Sequence, residues 1–300
     1  RQIMDEGTNS GSYNIYMGEE IASASSNTTG SYNLSVGYYS HYQATSATFN
    51  IAIGSWAGHN VTTGGSNILI GKYAGNGDST NYVTGTRNMA IGPEYAGYKI
   101  TSGGDNLLLG TRAGMCVTSG SNNVFMGCYA GGQATTTGSN NVAVGNKAGS
   151  GVSSGGYNVH FGYCAGKGYT TQSDNISIGC KAGASVTQTN SQCNIFIGKY
   201  AGQHADASGT AVQASIALGR CAGYKAEGSY SINIGYSAGG HDDNKSSTRS
   251  IAIGFYAGKQ DCGACNVYIG DQAGSSQVIT TLLLDMKQDS VYRVVTQILR

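Results

Sequence analysis

The chain has 300 residues, and its 17 Lys and Arg against 16 Asp and Glu leave a net charge of +1 at pH 7. Without a dense basic stripe, this balance argues against nucleic-acid binding. No apolar run is long enough for a membrane-spanning helix, so we expect no membrane insertion. With 48 Gly and one Pro, the composition departs from that of an ordinary globular domain.

The first regular feature begins at Asn14, and residues 1–13 are predicted to be an N-terminal junction. The chain starts at Arg1 without an initiator Met or a signal peptide, so we expect it to be a piece of a longer protein. From Asn14 to Gly274 one phrase recurs fifteen times, with a step of 16 to 21 residues: Asn, apolar, any residue, apolar, Gly, two variable residues, Ala-Gly. Only the first two copies lack the Ala-Gly. Such repetition predicts a stack of similar units, residues 14–274, in one domain.

Each copy holds a short alternating segment that predicts a β-strand. The residues one and three places after the Asn are apolar, as in Ile51 and Ile53, and we expect this pair to form the buried face. The residue between them varies, and His160 at that place is interpreted as exposed. The predicted fold is therefore all-β, a repetitive parallel β-solenoid. Tyr and Lys share the place two residues after the Gly, which predicts a half-exposed outer row.

Stacked copies would place like residues side by side. Asn occupies the first place in 12 of the 15 copies, with Ser in the other three, and predicts a ladder of amides. The Gly that closes each strand predicts a sharp turn at positive φ. The ladder residues are Asn50, Asn67, Asn88, Asn106, Asn123, Asn141, Asn158, Asn175 and Asn194. The turn glycines are Gly54, Gly71, Gly92, Gly110, Gly127, Gly145, Gly162, Gly179 and Gly198.

The repeat ends at Gly274, and residues 275–300 are predicted to be a C-terminal cap or the start of a further trimerisation module. Val291, Val294, Val295, Ile298 and Leu299 follow a helical spacing and favour a short amphipathic helix, although their β-branched content leaves a strand open. Because each copy offers only about two large apolar side chains for a core, we expect three chains to share one, with the Ala-Gly corners around a common axis.

Neither catalysis nor a cofactor is expected. The carboxylates are scattered, and His241, Asp242 and Asp243 are interpreted as a solvated loop. Cys164 and Cys180, one copy apart, could form a disulfide. Cys262 and Cys265 have the spacing of a metal or redox half-site, which is weak evidence alone. Free thiols, a disulfide and zinc all remain open, and no metal ligand is assigned.

The phrase Asn-x-x-Ile-Gly-x-x-Ala-Gly, over nearly the whole chain, resembles the repeats of trimeric phage tail-fibre shafts and is similar to the head repeats of trimeric autotransporter adhesins. The resemblance implies a left-handed β-roll, a homotrimer, a place on the virion surface or outside the cell, and a part in host attachment. Its partners would be its own copies and other fibre or baseplate proteins.

The long step and the eight cysteines favour the tail-fibre branch. We predict a structural fibre segment of a virion tail fibre or surface appendage; the alternative is a carbohydrate-binding trimeric bacterial adhesin. Host glycans would then bind at the uneven spacers, residues 76–87 and 203–213, with Asn81, Tyr82 and Gln213 as candidate contacts.

Overall fold

The computed structural model describes residues 10–21, 28–77, 82–205, 209, 211–240, 248–259 and 263–275, together with the backbone of residues 281–285 and 293–297. Every regular element in these ranges is a β-strand. The chain forms two compact units, Arg1–Gly156 and Tyr157–Arg300.

The first unit contains eight parallel strands in chain order, and each copy of the repeat contributes one. Neighbouring strands pair in register, so that Ile51 lies opposite Ile68 and Ile53 opposite Ile70. The register shifts only between β4 and β5, where Pro93 adds a residue to its copy. The strands are β1 Ile15–Met17, β2 Leu34–Val36, β3 Ile51–Ile53, β4 Ile68–Lys72, β5 Met89–Glu94, β6 Leu107–Leu109, β7 Val124–Met126 and β8 Val142–Val144.

The second unit contains seven parallel strands in chain order, followed by an antiparallel pair. The parallel strands are β9 Val159–Phe161, β10 Ile176–Ile178, β11 Ile195–Ile197, β12 Ile216–Leu218, β13 Ile232–Ile234, β14 Ile251–Ile253 and β15 Val267–Ile269. β16 Thr281–Asp285 pairs with β17 Arg293–Gln297. The predicted all-β parallel solenoid is confirmed, whereas its limits at residues 14 and 274 stay a prediction.

The predicted C-terminal helix is wrong where the structure describes it. Arg293–Gln297 is a strand, and β16 supplies its hydrogen-bonding partner. Three of its five residues, Val294, Val295 and Thr296, are β-branched and favour an extended backbone. Residues 291, 292 and 298–300 of the predicted helix lie outside the described residues.

The two faces of every parallel strand are the reverse of the prediction. The middle residue points inward: Ala52, Phe125 and His160 have no exposed surface. The apolar residues on either side of it are half-buried or exposed, as in the pattern of β3. His160, which we expected to be exposed, is therefore a core residue.

Two further columns of side chains complete the interior. The Ala of every Ala-Gly is fully buried inside its own chain, so the expectation that these corners surround an axis shared by three chains is wrong. A third column from the spacers includes Val61, Val117 and Val152, each with no exposed surface. The buried Ala residues are Ala57, Ala74, Ala96, Ala113, Ala130, Ala148, Ala165, Ala182, Ala201, Ala222, Ala238, Ala257 and Ala273.

The strand-closing glycines lie where the coil has no room for a side chain. Gly127 has φ +128°, and a Cβ there would stand 2.7 Å from the carbonyl oxygen of Gly145. Seven of the other eight predicted turn glycines have φ between 122° and 134°; Gly92, before Pro93, is the exception. Only Gly adopts this backbone without strain.

His160 places a titratable ring in the core of the second unit. Neither ring nitrogen has a hydrogen-bond partner, and the ring stacks on Tyr169 at 5.1 Å. Burial lowers the pKa of His160 from 6.5 to about 3. The unfolded chain therefore binds the proton more readily, so stability is full above pH 6.5 and is lost as the pH falls towards 3.

We expect His160→Phe to remove this acid sensitivity, because Phe125 and Phe196 fill the equivalent place in other copies. One pKa unit corresponds to about 1.4 kcal/mol, so the wild type should lose roughly 2–3 kcal/mol by pH 4.5 relative to the variant. Thermal melts followed by circular dichroism at pH 7 and 4.5 measure the difference. The reciprocal variant Phe125→His should gain acid sensitivity, and equal pH dependence of wild type and His160→Phe would contradict this account.

Candidate self-association face

The strands are held in register by a buried column of asparagine side chains. The backbone N–H of Asn67 donates to Asn50 Oδ1 at 2.9 Å, and Asn67 Nδ2 donates to the same oxygen at 3.0 Å. Asn67 Nδ2 also donates to the carbonyl oxygen of Gly85 in the next copy, at 3.0 Å. Each amide thus joins its own copy to the copies on both sides.

The pattern holds along each unit. In the first it runs through Asn33, Asn50, Asn67, Asn88, Asn106, Asn123 and Asn141, and in the second through Asn158, Asn175 and Asn194. Ser215, Ser231 and Ser250 take this place in three later copies, and the Oγ of each accepts the backbone N–H of the next copy, at 3.3 Å from Ser231 to Ser215. The sequence indicated stacked amides, but it gave no sign that they also bind the backbone.

We expect Asn123→Ala to destabilise the fold by about 3 kcal/mol, because it removes the partners of buried groups on Asn106, Gly138 and Asn141. Asn123→Ser should cost less, since serine keeps an acceptor in the natural copies. Urea unfolding followed by circular dichroism measures both. Asn146→Ala, on an exposed side chain, is the matched control and should stay within about 0.5 kcal/mol of wild type; an equal loss in Asn146→Ala and Asn123→Ala would refute the ladder's role.

A row of aromatic and cationic side chains lies two residues after the strand-closing glycines and is half-buried. Tyr73 stacks on Tyr95 with ring centroids 4.9 Å apart. The guanidinium of Arg112 lies over Tyr95 and Tyr129, at 5.6 Å and 5.2 Å. The prediction of an outer, half-exposed row is confirmed, and two of its cations, Arg112 and Lys181, lie over neighbouring rings.

The outer face of the parallel sheet forms a regular surface on each unit. We call it the apolar face: the first and third residue of the repeat strand in every copy. Two columns of eight residues form it in the first unit and two of seven in the second, and all are aliphatic, Met or Phe. The first column contains Ile15, Leu34, Ile51, Ile68, Met89, Leu107, Val124 and Val142, then Val159, Ile176, Ile195, Ile216, Ile232, Ile251 and Val267. The second contains Met17, Val36, Ile53, Ile70, Ile91, Leu109, Met126 and Val144, then Phe161, Ile178, Ile197, Leu218, Ile234, Ile253 and Ile269.

The apolar face is partly exposed in the single chain: six of its residues are exposed and the others are half-buried. Met17 is 55% exposed, Phe161 41%, and Ile178 and Ile197 38% each. At about 4.8 Å per strand, the eight copies of the first unit carry this surface over roughly 34 Å. Continuous apolar patches of this kind mark association surfaces on soluble proteins.

The other candidate residues form no common site in the described part of the chain. Seven cysteines there are free thiols, so Cys164 and Cys180 are not bridged. Tyr82 is half exposed, and Gln213 Oε1 accepts a hydrogen bond from Tyr230 Oη at 3.4 Å. The remaining candidates, Asn81, His241, Asp242, Asp243 and Cys262, lie outside the described residues.

Within the same ranges, no group of three or more His, Cys, Asp or Glu side chains is arranged to hold a metal ion. A search of the described residues for a helix of sufficient length and apolarity to cross a membrane also finds none. Comparison with known protein families, with curated proteins and with solved structures gives no match to this chain.

Proposed function

We propose that this chain is a structural fibre segment of a virion tail fibre or surface appendage, working as a homotrimer in support of host attachment. The observation that carries the proposal is the apolar face. It leaves two apolar side chains half-buried or exposed in every copy, and hydrophobic burial is worth about 25 cal/mol for each Å² removed from water. Burying this face between chains would supply the large core that the narrow interior of one chain lacks.

A second copy of the chain fits this face better than an unrelated partner. The face repeats its two apolar columns at every strand, so a surface with the same spacing matches it along its length. It carries no charged residue, which leaves no means of selecting a lipid headgroup or a nucleic acid. The number three and the left-handed winding come from the resemblance of the repeat to tail-fibre shafts and adhesin heads.

Fibre function agrees with the way the repeat is built. Each copy of the repeat bonds to the next through its backbone and through the ladder Asn or the Ser that replaces it, so added copies lengthen the array without altering its cross-section. Other fibre or baseplate proteins would join such a segment at its ends, outside the cell. The adhesin alternative shares this architecture, and one observation favours it: an aromatic cleft beside Trp56.

Light scattering on the purified chain tests the proposal. We expect a particle of three times the chain mass of 30.8 kDa, with and without reductant, because the described cysteines are free. A stable single-chain particle would contradict the shared apolar face.

The double variant Ile178→Glu/Ile197→Glu should reduce the particle to single chains, because each chain would then bury two unpaired charges in its contact with the other chains. Both Ile side chains are already 38% exposed in the single chain, so we expect Glu at these positions to leave the fold of the chain intact. Thr171→Glu, on an exposed spacer residue, is the matched control and should keep the trimer mass. A double variant that remains trimeric would place the contact elsewhere.

A further inference from the structure

A cleft of about 310 Å³ lies on the first unit, beside the aromatic row and away from the apolar columns. Its walls include the rings of Trp56, His59, Tyr73 and Tyr98 and the amide of Asn76. All of them come from three successive copies of the repeat. The cleft therefore arises from what differs between these copies.

The difference is a missing ring in a second aromatic column, five residues after the strand-closing Gly. Tyr42 and His59 hold this place in two successive copies and stack at 5.0 Å with 18° between their planes. Asn76 holds it in the next copy, and Tyr98, displaced one residue by Pro93, in the one after. With strands about 4.8 Å apart, the short Asn76 side chain leaves a gap about one ring wide.

The first aromatic row also opens at this point. Tyr39 and Trp56 stack at 4.7 Å and 14°, and Tyr73 and Tyr95 at 4.9 Å and 3°. Between these pairs, Trp56 and Tyr73 are 5.9 Å apart and tilted by 32°. Tyr98 stands almost perpendicular to Tyr73, at 89°. The cleft thus presents ring surfaces in more than one orientation to whatever enters it.

One polar atom of the cleft lining, the side-chain oxygen of Asn76, lacks a hydrogen-bond donor. Asn76 is only 5% exposed, and its Oδ1 has no hydrogen-bond partner in the structure. A buried acceptor without a partner is unfavourable, so a ligand hydroxyl that donates to it is favoured. Gln43 and Asn60 add further amides to the lining.

The lining carries no Asp, Glu, Lys or Arg. Burial lowers the pKa of His59 below its ordinary value, and the hydrogen bond to Asn60 offsets this only in part. The cleft is therefore neutral at pH 7. This favours an uncharged ligand over a sialic acid, a phosphate or a cationic peptide.

We propose that this cleft binds a neutral hexose unit of a glycan, with one face of the pyranose ring against the aromatic side chains and a hydroxyl donating to Asn76 Oδ1. A pyranose combines a flat C–H face with several O–H donors and no charge, which is the combination this lining recognises. The site lies within one chain, so the proposal stands or falls independently of the trimer.

Trp56 is the only Trp in the chain, so its fluorescence reports on the cleft directly. The intact chain is titrated with glucose, galactose, mannose, N-acetylglucosamine and N-acetylgalactosamine to about 10 mM, with sialic acid and inorganic phosphate as anionic probes. We expect a saturable change in Trp56 emission with at least one neutral sugar and none with the anions. No response to any neutral sugar, or a stronger response to an anion, would overturn the proposal.

Asn76→Tyr restores the missing ring and keeps Trp56 as the reporter. Tyr42 and Tyr98 already occupy this place, so the variant should fold, and we expect it to weaken sugar binding by about tenfold or more. Gln203→Tyr makes the same change at the same place of a distant copy and should leave binding unchanged. Undiminished binding by Asn76→Tyr would overturn the proposal, whereas the trimer mass of these variants tests the fibre separately.

Discussion

The narrow interior of the coil is the constraint on which the other features of this protein depend. Each parallel strand contributes one inward side chain, and in every copy that has the Ala-Gly pair the Ala is fully buried as well. Where that side chain is large, the adjoining turn must have none: a Cβ at Gly131 would lie 2.6 Å from Phe125 Cγ. The small Ala and Gly therefore leave the space that the inward side chain fills.

Because the interior accepts only one strand residue per copy, the two apolar residues beside it must point outward. The same limit explains why buried hydrogen bonds, rather than a large apolar core, hold one copy to the next. An Asn that bonds two backbone groups and two amides joins copies without needing interior volume. The proposed assembly through the outer face would add the apolar burial that the narrow coil cannot contain.

Much of this architecture can be predicted from the sequence, because the repeat fixes strand positions, parallel order and the stacking of Asn50 on Asn67. Which side chains of each strand point inward could not be predicted, since hydrophobicity alone assigns Ile51 and Ile53 to the core. The clue was size: a place that accepts Ala52, Phe125 and His160 varies in volume, and it lies opposite a constant small Ala. The left-handed backbone at residues such as Trp56 and Lys147, with φ of 62° and 57°, could not be predicted either, because neither residue is a Gly. The cleft was foreseeable only by aligning the fifth place after each Gly, where Asn76 interrupts a column of rings.

Methionine oxidation of the native particle tests the outward apolar face most directly. Met17, Met89 and Met126 lie on that face, whereas Met115 lies off the strands and is also partly exposed. Oxidation follows solvent access. The account predicts that Met115 is oxidised while Met17, Met89 and Met126 are protected until the particle is dissociated. Met17 is 55% exposed in the single chain. If it is oxidised as fast as Met115 in the native particle, the account is contradicted.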